Sequence, residues 1–207
     1  MIIESLEVGM FAENCYIVGC EETGDGVLID PGDEGHRILQ KIAAMQLSIK
    51  YILLTHAHLD HVKEVLSVNE ELKVPVYLHR EDAFLLENLP AQAAAFGLSV
   101  SGIPKVDHFV EESENITFGN TQLRVLHTPG HSPGSVSYVA QGVAFVGDAL
   151  FSGSIGRTDL PGGNYEQLIA AIKNRLFSLD DNTRVYAGHG PPTTIGQEKL
   201  SNPFLVD

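Results

Sequence analysis

Short apolar runs alternate with amphipathic stretches along the chain, and this pattern predicts strands alternating with helices. A helix is predicted from about Asp33 to Met45, where apolar residues such as Ile38 and Ile42 recur at helical spacing. The fully apolar run Tyr51–Leu54 is typical of a strand buried on both faces. Two halves, each with several strands and covering helices, indicate a layered α/β sandwich.

The other elements are predicted from the same two periodicities. The further strands are Ile2–Val8, Tyr16–Gly19, Val27–Ile29, Val76–Leu78, Ile116–Phe118, Gln122–His127, Ser135–Val139, Val143–Val146 and Arg184–Tyr186. The further helices run over about 61–72, from Glu81 to about Gly97, and over Tyr165–Leu179.

Composition narrows the class of protein. At 207 residues, with 43% apolar and 19% charged residues, the chain fits one folded domain over residues 1–207. The net charge of −14 and the lack of a basic run argue against a nucleic-acid partner. No stretch approaches the ~18 apolar residues of a membrane helix, and the first residues lack the pattern of a secretory signal. Cys15 and Cys20 are expected to be buried thiols, which favours the cytoplasm.

The strongest chemical signal is the segment Thr55-His56-Ala57-His58-Leu59-Asp60-His61, between a buried apolar run and a predicted helix. His56 and His58 are two residues apart, so in extended backbone their side chains point to the same side. Asp60 and His61 lie where the chain turns into the helix and can point to a second position close by. One histidine here would be typical of a core or capping residue. Three histidines with an aspartate predict a metal site, because these are ligands that Zn, Fe and Mn accept.

Three further segments end predicted strands with the same residue types. His131 follows Pro129–Gly130, a pair that imposes a tight turn, and His127 before it is interpreted as a structural or supporting residue. Asp148 ends a strand with a carboxylate that can bridge two cations. His189 is flanked by glycines, which let backbone approach a crowded site.

The ligand candidates are therefore five histidines and two aspartates. One metal is assigned to His56, His58 and His131, the other to Asp60, His61 and His189, with Asp148 shared. This set is sufficient for two divalent cations ~3.5–4 Å apart with an open position for water, the arrangement used in metal-assisted hydrolysis. Zn and/or Fe fit these ligands, and Mn is possible.

The ligand series, T-H-x-H-x-D-H followed by the His of H-T-P-G-H, the Asp of V-G-D and the His of G-H-G, resembles that of the metallo-β-lactamase superfamily. The stretch S-I-G-R-T-D-L-P-G-G-N at 154–164 is similar to the signature of the short, single-domain glyoxalase II-like hydrolases. Residues 188–194 and 202–205 match the same subgroup. The resemblance covers nearly the whole chain and implies a four-layer αββα sandwich, the metallo-β-lactamase fold, with the metals at one edge of the sheets.

The resemblance also implies thioester hydrolysis, with S-D-lactoylglutathione or a related thioester as the small-molecule substrate. Two cations would lower the pKa of a shared water, and the metal-bound hydroxide would attack the thioester carbonyl. Asp60 would hold one metal and orient this hydroxide. Arg157 and Asp159 are either a solvated ion pair or, as we favour, residues that shape the substrate site. Asp30, at a strand end, either caps that strand or supports the metal ligands.

Other functions share parts of this pattern. Persulfide dioxygenases are similar in sequence, include a Gly-Arg-Thr-Asp stretch and use one iron, but the Leu-Pro-Gly-Gly-Asn continuation favours the hydrolases. Lactone hydrolysis uses the same ligand series and stays open. True β-lactamase activity is disfavoured because many such enzymes have a cysteine at the position of Asp148. A non-catalytic metal-binding protein is the remaining alternative.

Overall fold

The computed structural model describes residues 1–206, and the chain divides into two compact units. The first comprises Met1–Val110 with Thr117–Gln122, and the second comprises Glu111–Ile116 with the described chain from Leu123 onward. Within residues 1–206, no helix combines the length and apolar character needed to cross a membrane.

A six-stranded sheet forms the centre of the first unit, with its strands side by side in sequence order. The strands are β1 (Ile2–Val8), β2 (Glu13–Gly19), β3 (Asp25–Ile29), β4 (Ser48–Leu53), β5 (Val76–His79) and β6 (His108–Val110). β1 to β3 pair antiparallel, whereas β3 to β6 all run parallel. The carboxyl ends of β3, β4 and β5 therefore meet at one edge, where the loops that follow them can converge.

Five helices accompany this sheet. They are α1 (Gly35–Met45), α2 (Leu59–Val62), α3 (Val65–Leu72), α4 (Ala83–Glu87) and α5 (Leu89–Ala95). Ile38 and Ile42 are buried on α1 and belong to one apolar cluster with Val65 and Val68 of α3. The core of the unit is thus formed by the apolar stripe of the helices and the central strands, as the periodicity predicts.

The amino ends of β5 and β6 border a surface cavity of about 490 Å³. Pro75, Val76 and Asp107 line it from the sheet side, and Val65 and Leu66 line it from α3. Because β4 to β6 are parallel, this cavity lies at the opposite end of the strands from the edge where their carboxyl ends meet.

The remaining strands include a second six-stranded sheet with the order β14-β13-β10-β9-β8-β7 and a separate ribbon of β11 and β12. These strands are β7 (Asn115–Phe118), β8 (Thr121–His127), β9 (Val136–Ala140), β10 (Val143–Gly147), β11 (Leu150–Phe151), β12 (Ser154–Ile155), β13 (Arg184–Ala187) and β14 (Thr193–Thr194). Two helices, α6 (Tyr165–Asn174) and α7 (Ile195–Ser201), complete the second unit, and buried residues of both belong to its apolar core.

Some predicted helices are shorter than expected. The helix predicted over 61–72 is divided between α2 and α3, because the backbone N–H of Glu64 donates to the carbonyl oxygen of Pro31 at 3.1 Å. The helix predicted to reach Leu179 ends at Asn174 and continues only as a 3₁₀ turn over Leu176–Ser178. In both places local bonding replaces the continuous helical pattern that periodicity indicates.

Candidate metal centre

The loop after β4 brings three of the predicted ligands together in the first unit. His56 and His58 are buried before α2, and His61 is buried in its first turn. The ring centroid of His56 lies 4.8 Å from that of His58 and 4.1 Å from that of His61. The two-residue spacing thus brings His56 and His58 together as predicted, and the turn into α2 brings His61 to the same cluster.

Asp30 orients two of these imidazoles. Its buried carboxylate accepts the hydroxyl proton of Thr55 at 2.5 Å and the Nδ1–H of His61 at 3.0 Å. Because the Thr55 hydroxyl donates to Asp30, it accepts from Nδ1 of His56, 3.0 Å away. Both rings are thereby held with Nδ1 protonated, which leaves each Nε2 as the nitrogen with a lone pair for a metal.

The backbone at Asp30 is unusual. Its φ is +50°, in the left-handed region, and its second carboxylate oxygen accepts the backbone N–H of Thr55 at 2.7 Å. The sequence left two roles open for Asp30, and the structure shows that it supports the histidines directly. Thr55, although part of the recognised segment, was not predicted to take part, because its role depends on a contact with a residue 25 positions away.

Asp60 lies beside His61 in α2 and has a side chain that is 22% exposed. Its Oδ2 is 3.9 Å from Nε2 of His61, beyond hydrogen-bond distance but within reach of a shared ion. The backbone of Asp60 packs so closely on Gly32 that a Cβ at Gly32 would stand 1.6 Å from the Asp60 carbonyl oxygen. Buried Glu13 lies on the other side of His61, with Oε1 3.8 Å from its Nδ1.

In the second unit, Asp148 and His189 follow β10 and β13. These strands are adjacent and parallel, and the backbone N–H of Gly188 donates to the carbonyl oxygen of Gly147 at 2.8 Å. The residues after them therefore emerge at the same edge of the sheet. His131 reaches this place from the turn after β8 and is 2% exposed.

Asp148 lies between the two histidines. Its Oδ2 is 3.6 Å from Nε2 of His131 and 3.6 Å from Nε2 of His189. These separations exceed a hydrogen bond. Two ligand atoms each about 2.0–2.2 Å from a tetrahedral ion stand roughly 3.3–3.6 Å apart. The second unit thus presents one carboxylate oxygen at ligand-to-ligand distance from two imidazole nitrogens.

His131 is oriented by the ribbon of β11 and β12 and its continuation. Its Nδ1–H donates to the backbone carbonyl oxygen of Arg157 at 2.7 Å, so that Nε2 is the nitrogen directed towards Asp148. Gly156 is pressed against the preceding segment, since a Cβ there would stand 1.8 Å from the carbonyl oxygen of Asp148. A backbone carbonyl carries no signature in the sequence, so this contact could not be predicted.

The side chains of Arg157 and Asp159 form a two-pronged ion pair with each other, with N–O distances of 2.7 Å. Both are exposed, at 60% and 67%. The hydrogen bonds from Arg157 lower the pKa of the Asp159 carboxyl to about 2. Their geometry is that of a solvated ion pair, one of the two interpretations of these residues. The other interpretation, that they shape the substrate site, stays a prediction.

His127 and the other histidines have structural or surface contacts. Nε2 of His127 donates to the carbonyl oxygen of Pro133 at 2.8 Å, and the ring of His108 lies 4.6 Å from that of Tyr77. His36 pairs with Gln40 on the surface of α1. The contact of His127 with Pro133 agrees with its interpretation as a structural or supporting residue.

The donor chemistry of both units fits divalent cations. Each unit offers a buried imidazole, His61 in the first and His131 in the second, whose Nδ1 is hydrogen-bonded and whose Nε2 lies 3.9 Å or 3.6 Å from an aspartate oxygen. Nitrogen and carboxylate ligands of this kind suit Zn, Fe and Mn. The two cysteines are buried thiols away from these clusters in sequence.

Comparison with known proteins gives concordant matches. A family profile for the metallo-beta-lactamase superfamily matches residues 8–189. Hydroxyacylglutathione hydrolase GloC of Haemophilus influenzae is 42% identical, covering 99% of this chain and 98% of that protein. The crystal structure of the B3 metallo-beta-lactamase BLEG-1 matches with a TM-score of 0.93, 40% identity and 100% of both chains covered. TTHA1623 in a di-iron-bound form matches with a TM-score of 0.90 and 45% identity, covering 98% of this chain and 100% of that one.

These matches span the segments that carry all seven ligand candidates. They confirm the fold class implied by the resemblance, since the mixed α/β structure matches solved members of that fold over its full length. The chain belongs to the metallo-β-lactamase superfamily of metallo-hydrolases.

Proposed function

We propose that the protein is a metal-dependent thioesterase that hydrolyses S-D-lactoylglutathione or a related thioester. Seven residues would hold two divalent cations, Zn and/or Fe: His56, His58, Asp60, His61, His131, Asp148 and His189. The observation that carries the proposal is the Oδ2 of Asp148, placed 3.6 Å from each of two imidazole nitrogens. A carboxylate in that position suits a ligand shared by two cations.

Bound cations would supply an activated water and polarise the thioester carbonyl. The chain's own residues would prepare the site for this chemistry. Asp30, the Thr55 hydroxyl and the carbonyl of Arg157 accept the Nδ1 protons of His61, His56 and His131, so the Nε2 atoms of these rings would face the cations. Asp60, with a side chain that is 22% exposed, is placed to orient the attacking water.

The relatives support the choice of substrate. The 42% identity to a protein named hydroxyacylglutathione hydrolase extends over nearly the whole of both chains. The di-iron form of TTHA1623, at 45% identity, supports a site for two metals and supports iron as one candidate. A thioester of glutathione is therefore the first substrate to test.

Hydrolysis of β-lactams is the second candidate, because BLEG-1 is named a B3 metallo-beta-lactamase and covers the whole chain at 40% identity. The same activated water could attack a lactam carbonyl. A thioester has a better leaving group than an amide, so we rank the thioesterase first.

The test is hydrolysis of S-D-lactoylglutathione by purified protein with a measured metal content. We expect turnover in the wild type and a loss of at least about a hundredfold in kcat for Asp148→Asn. Asp181→Asn is the matched control: it removes the same charge from an exposed carboxylate outside the proposed site and should stay within about threefold. Full activity of Asp148→Asn would contradict the proposed role of this residue.

A substrate panel separates the remaining functions. Absence of thioester turnover in fully metal-loaded protein would reject this substrate. Hydrolysis of a β-lactam or a lactone, or oxygen consumption with glutathione persulfide, would then identify the chemistry. Binding of metal with no turnover on any of them would favour a non-catalytic metal-binding protein.

A role for Asp60 in the reaction is tested separately. Asp60→Asn keeps an oxygen ligand but removes the charge, so we expect kcat to fall by about 10²–10³-fold while metal content measured by mass spectrometry falls less. Unchanged turnover would exclude a catalytic role for Asp60.

The protein is proposed to act in the cytoplasm. Cys15 and Cys20 are both free and buried thiols, a state suited to a reducing compartment. Fractionation of the source cells with an antibody to the protein would test this location.

A further inference from the structure

We propose that Glu198 on α7 and Asn202, the residue just after it, are positioning residues that hold the ribbon of β11 and β12, and through it the ligand candidates of the second unit. The proposal rests on the proposed function for its metal-binding consequence, and its geometric part concerns the protein alone.

The ribbon of β11 and β12 is too short to be stable without contacts to other elements. β11 and β12 pair through only two residue pairs, Leu150 with Ile155 and Phe151 with Ser154. An isolated two-stranded hairpin is marginally stable even when it is longer than this. Its turn contains Gly153, with φ of +71°. The position of this segment must therefore be set by contacts with other elements.

Glu198 and Asn202 supply such contacts at the turn of the ribbon. Oε2 of Glu198 accepts the backbone N–H of Gly153 at 3.0 Å and the side-chain N–H of Asn202 at 2.8 Å. The same amide group of Asn202 donates to the carbonyl oxygen of Ser154 at 3.0 Å. The two side chains thus bind both a donor and an acceptor of the turn.

The side chains of Glu198 and Asn202 are buried, and both form hydrogen bonds. Glu198 is 1% exposed and Asn202 is 0% exposed. The second oxygen of Glu198 accepts the hydroxyl proton of Thr193 at 2.6 Å. A buried carboxylate is tolerated only when it is hydrogen-bonded, and bonds to a charged acceptor are the strong ones. These contacts therefore fix the turn in one position relative to α7.

The ribbon in turn contacts all three ligand candidates of the second unit. Asp148 precedes β11, and its carbonyl oxygen is covered by Gly156 just after β12. Arg157, the next residue, accepts the Nδ1–H of His131. At the other strand, the ring of Phe151 lies edge-on to His189 with 6.1 Å between centroids. A shift of the ribbon would move the contacts of each ligand.

The inference also accounts for a stretch that the sequence comparison singled out without a role. Residues 202–205, Asn-Pro-Phe-Leu, begin with Asn202, whose side chain also accepts the backbone N–H of Phe204 at 3.1 Å. The segment after α7 is thereby tied to the same amide that binds the ribbon. The function of this stretch is to fix Asn202 for that contact.

The first experiment uses metal-free protein labelled with ¹⁵N-histidine and measures hydrogen exchange of the Nδ1–H of His131. In Glu198→Ala and in Asn202→Ala we expect this proton to exchange at least about tenfold faster than in the wild type. Glu198→Gln should restore slow exchange to within about twofold. Its amide oxygen can accept from Gly153 and Asn202, while its NH₂ donates to the Thr193 hydroxyl.

The second experiment measures Co²⁺ affinity by competition with a chelator, together with the visible spectrum of bound Co²⁺. We expect about a tenfold loss of affinity and a changed spectrum in the two alanine variants, and neither change in Glu198→Gln. Ile195→Val is the matched control on α7: it trims a fully buried apolar side chain and should alter neither readout.

The outcomes are distinct. Exchange at His131 that is unchanged in both alanine variants, or changed equally in Ile195→Val, would overturn the positioning role. Failure of the wild type to bind Co²⁺ would reject the proposed metal site, while the exchange measurement on metal-free protein would still decide the role of Glu198 and Asn202. Asn202→Ala removes one amide and no charge, so it serves if Glu198→Ala fails to fold.

Discussion

Asp30 shows how a single side chain can determine the chemistry of others. One of its oxygens binds the hydroxyl of Thr55 and the ring of His61, and the Thr55 hydroxyl in turn fixes the ring of His56. Two imidazoles thus have their tautomers set by one carboxylate. The left-handed backbone at Asp30 is tolerated by Asp and Asn better than by most residues, which makes a clean test of the charge possible.

Asp30→Asn should destabilise the metal-free protein by about 2–3 kcal/mol, since an amide cannot accept from three donors and one buried donor loses its acceptor. The backbone conformation is equally accessible to Asn, so the change reports on the carboxylate alone. Urea unfolding followed by circular dichroism would measure it. The control Asp25→Asn removes a partly exposed ion pair with Lys50 and should cost less than about 1 kcal/mol. Equal effects of the two substitutions would contradict the role assigned to Asp30.

Arg157 contributes through two separate groups, its side chain to Asp159 and its backbone carbonyl to His131. Arg157→Met should raise the pKa of the Asp159 carboxyl from about 2 towards its ordinary value of about 3.9. Because the lowered pKa belongs to a carboxylate, the stabilisation is present above pH 4 and is lost as pH falls towards 2. The variant should lose this acid-dependent contribution, which an NMR titration of Asp159 would detect.

The hydrogen bond to His131 comes from the backbone, so Arg157→Met should leave metal binding within about twofold of the wild type. A large loss of metal in this variant would show that the guanidinium, and not the carbonyl, supports the ligand.

At the scale of elements, periodicity predicted the long strands and most of the helices. β1 has the predicted bounds, and the buried run at Tyr51–Leu54 lies largely within β4. The two-residue strands β11, β12 and β14 and the two-turn helix α7 were missed, because two strand positions or two helical turns are too few to show a period. In the site, the side chains with metal-binding chemistry were predicted from the sequence. Thr55, Glu198 and the Arg157 carbonyl were not, because they act through contacts between distant positions.

The ribbon of β11 and β12 offers a test of close packing at this scale. A Cβ on Gly156 would overlap the carbonyl oxygen of Asp148 at 1.8 Å, whereas a Cβ on Gly153 would meet nothing within 4 Å but would be strained at φ of +71°. We expect Gly153→Ala to cost about 1–2 kcal/mol from backbone strain alone. Gly156→Ala should cost more than about 3 kcal/mol or shift the ribbon, and it should lower metal affinity.

Thermal unfolding of both alanine variants without metal, followed by metal titration, would measure these effects. If the two alanine substitutions destabilised the protein equally and neither changed metal affinity, the close approach of the ribbon to Asp148 would not contribute to metal binding.

At the scale of the whole molecule, the net charge of −14 includes the carboxylates of the proposed metal site. Divalent cations bound there would neutralise part of this charge and bind only to the folded chain. Their contribution to stability can therefore be measured without any substrate.

Removal of metal by a chelator should lower the melting temperature. At a free metal concentration of 100 times the Kd, one site adds about 2.7 kcal/mol, which corresponds to roughly 5–10 °C for a chain of this size. Differential scanning calorimetry of metal-loaded and stripped protein would test this. The difference should shrink in Asp148→Asn and persist in Asp159→Asn. An identical melting temperature with and without metal would mean that the ligands do not bind it.

The parallel order of β4 to β6 has a practical consequence for studying the enzyme. The proposed chemistry lies beyond the carboxyl ends of strands in this sheet, and the cavity at their amino ends includes Lys105, whose side chain is 84% exposed. Lys105→Cys would introduce one accessible thiol among native cysteines that are buried. A fluorophore or surface tether attached there would leave the catalytic face open, so that binding and turnover could be followed on immobilised single molecules.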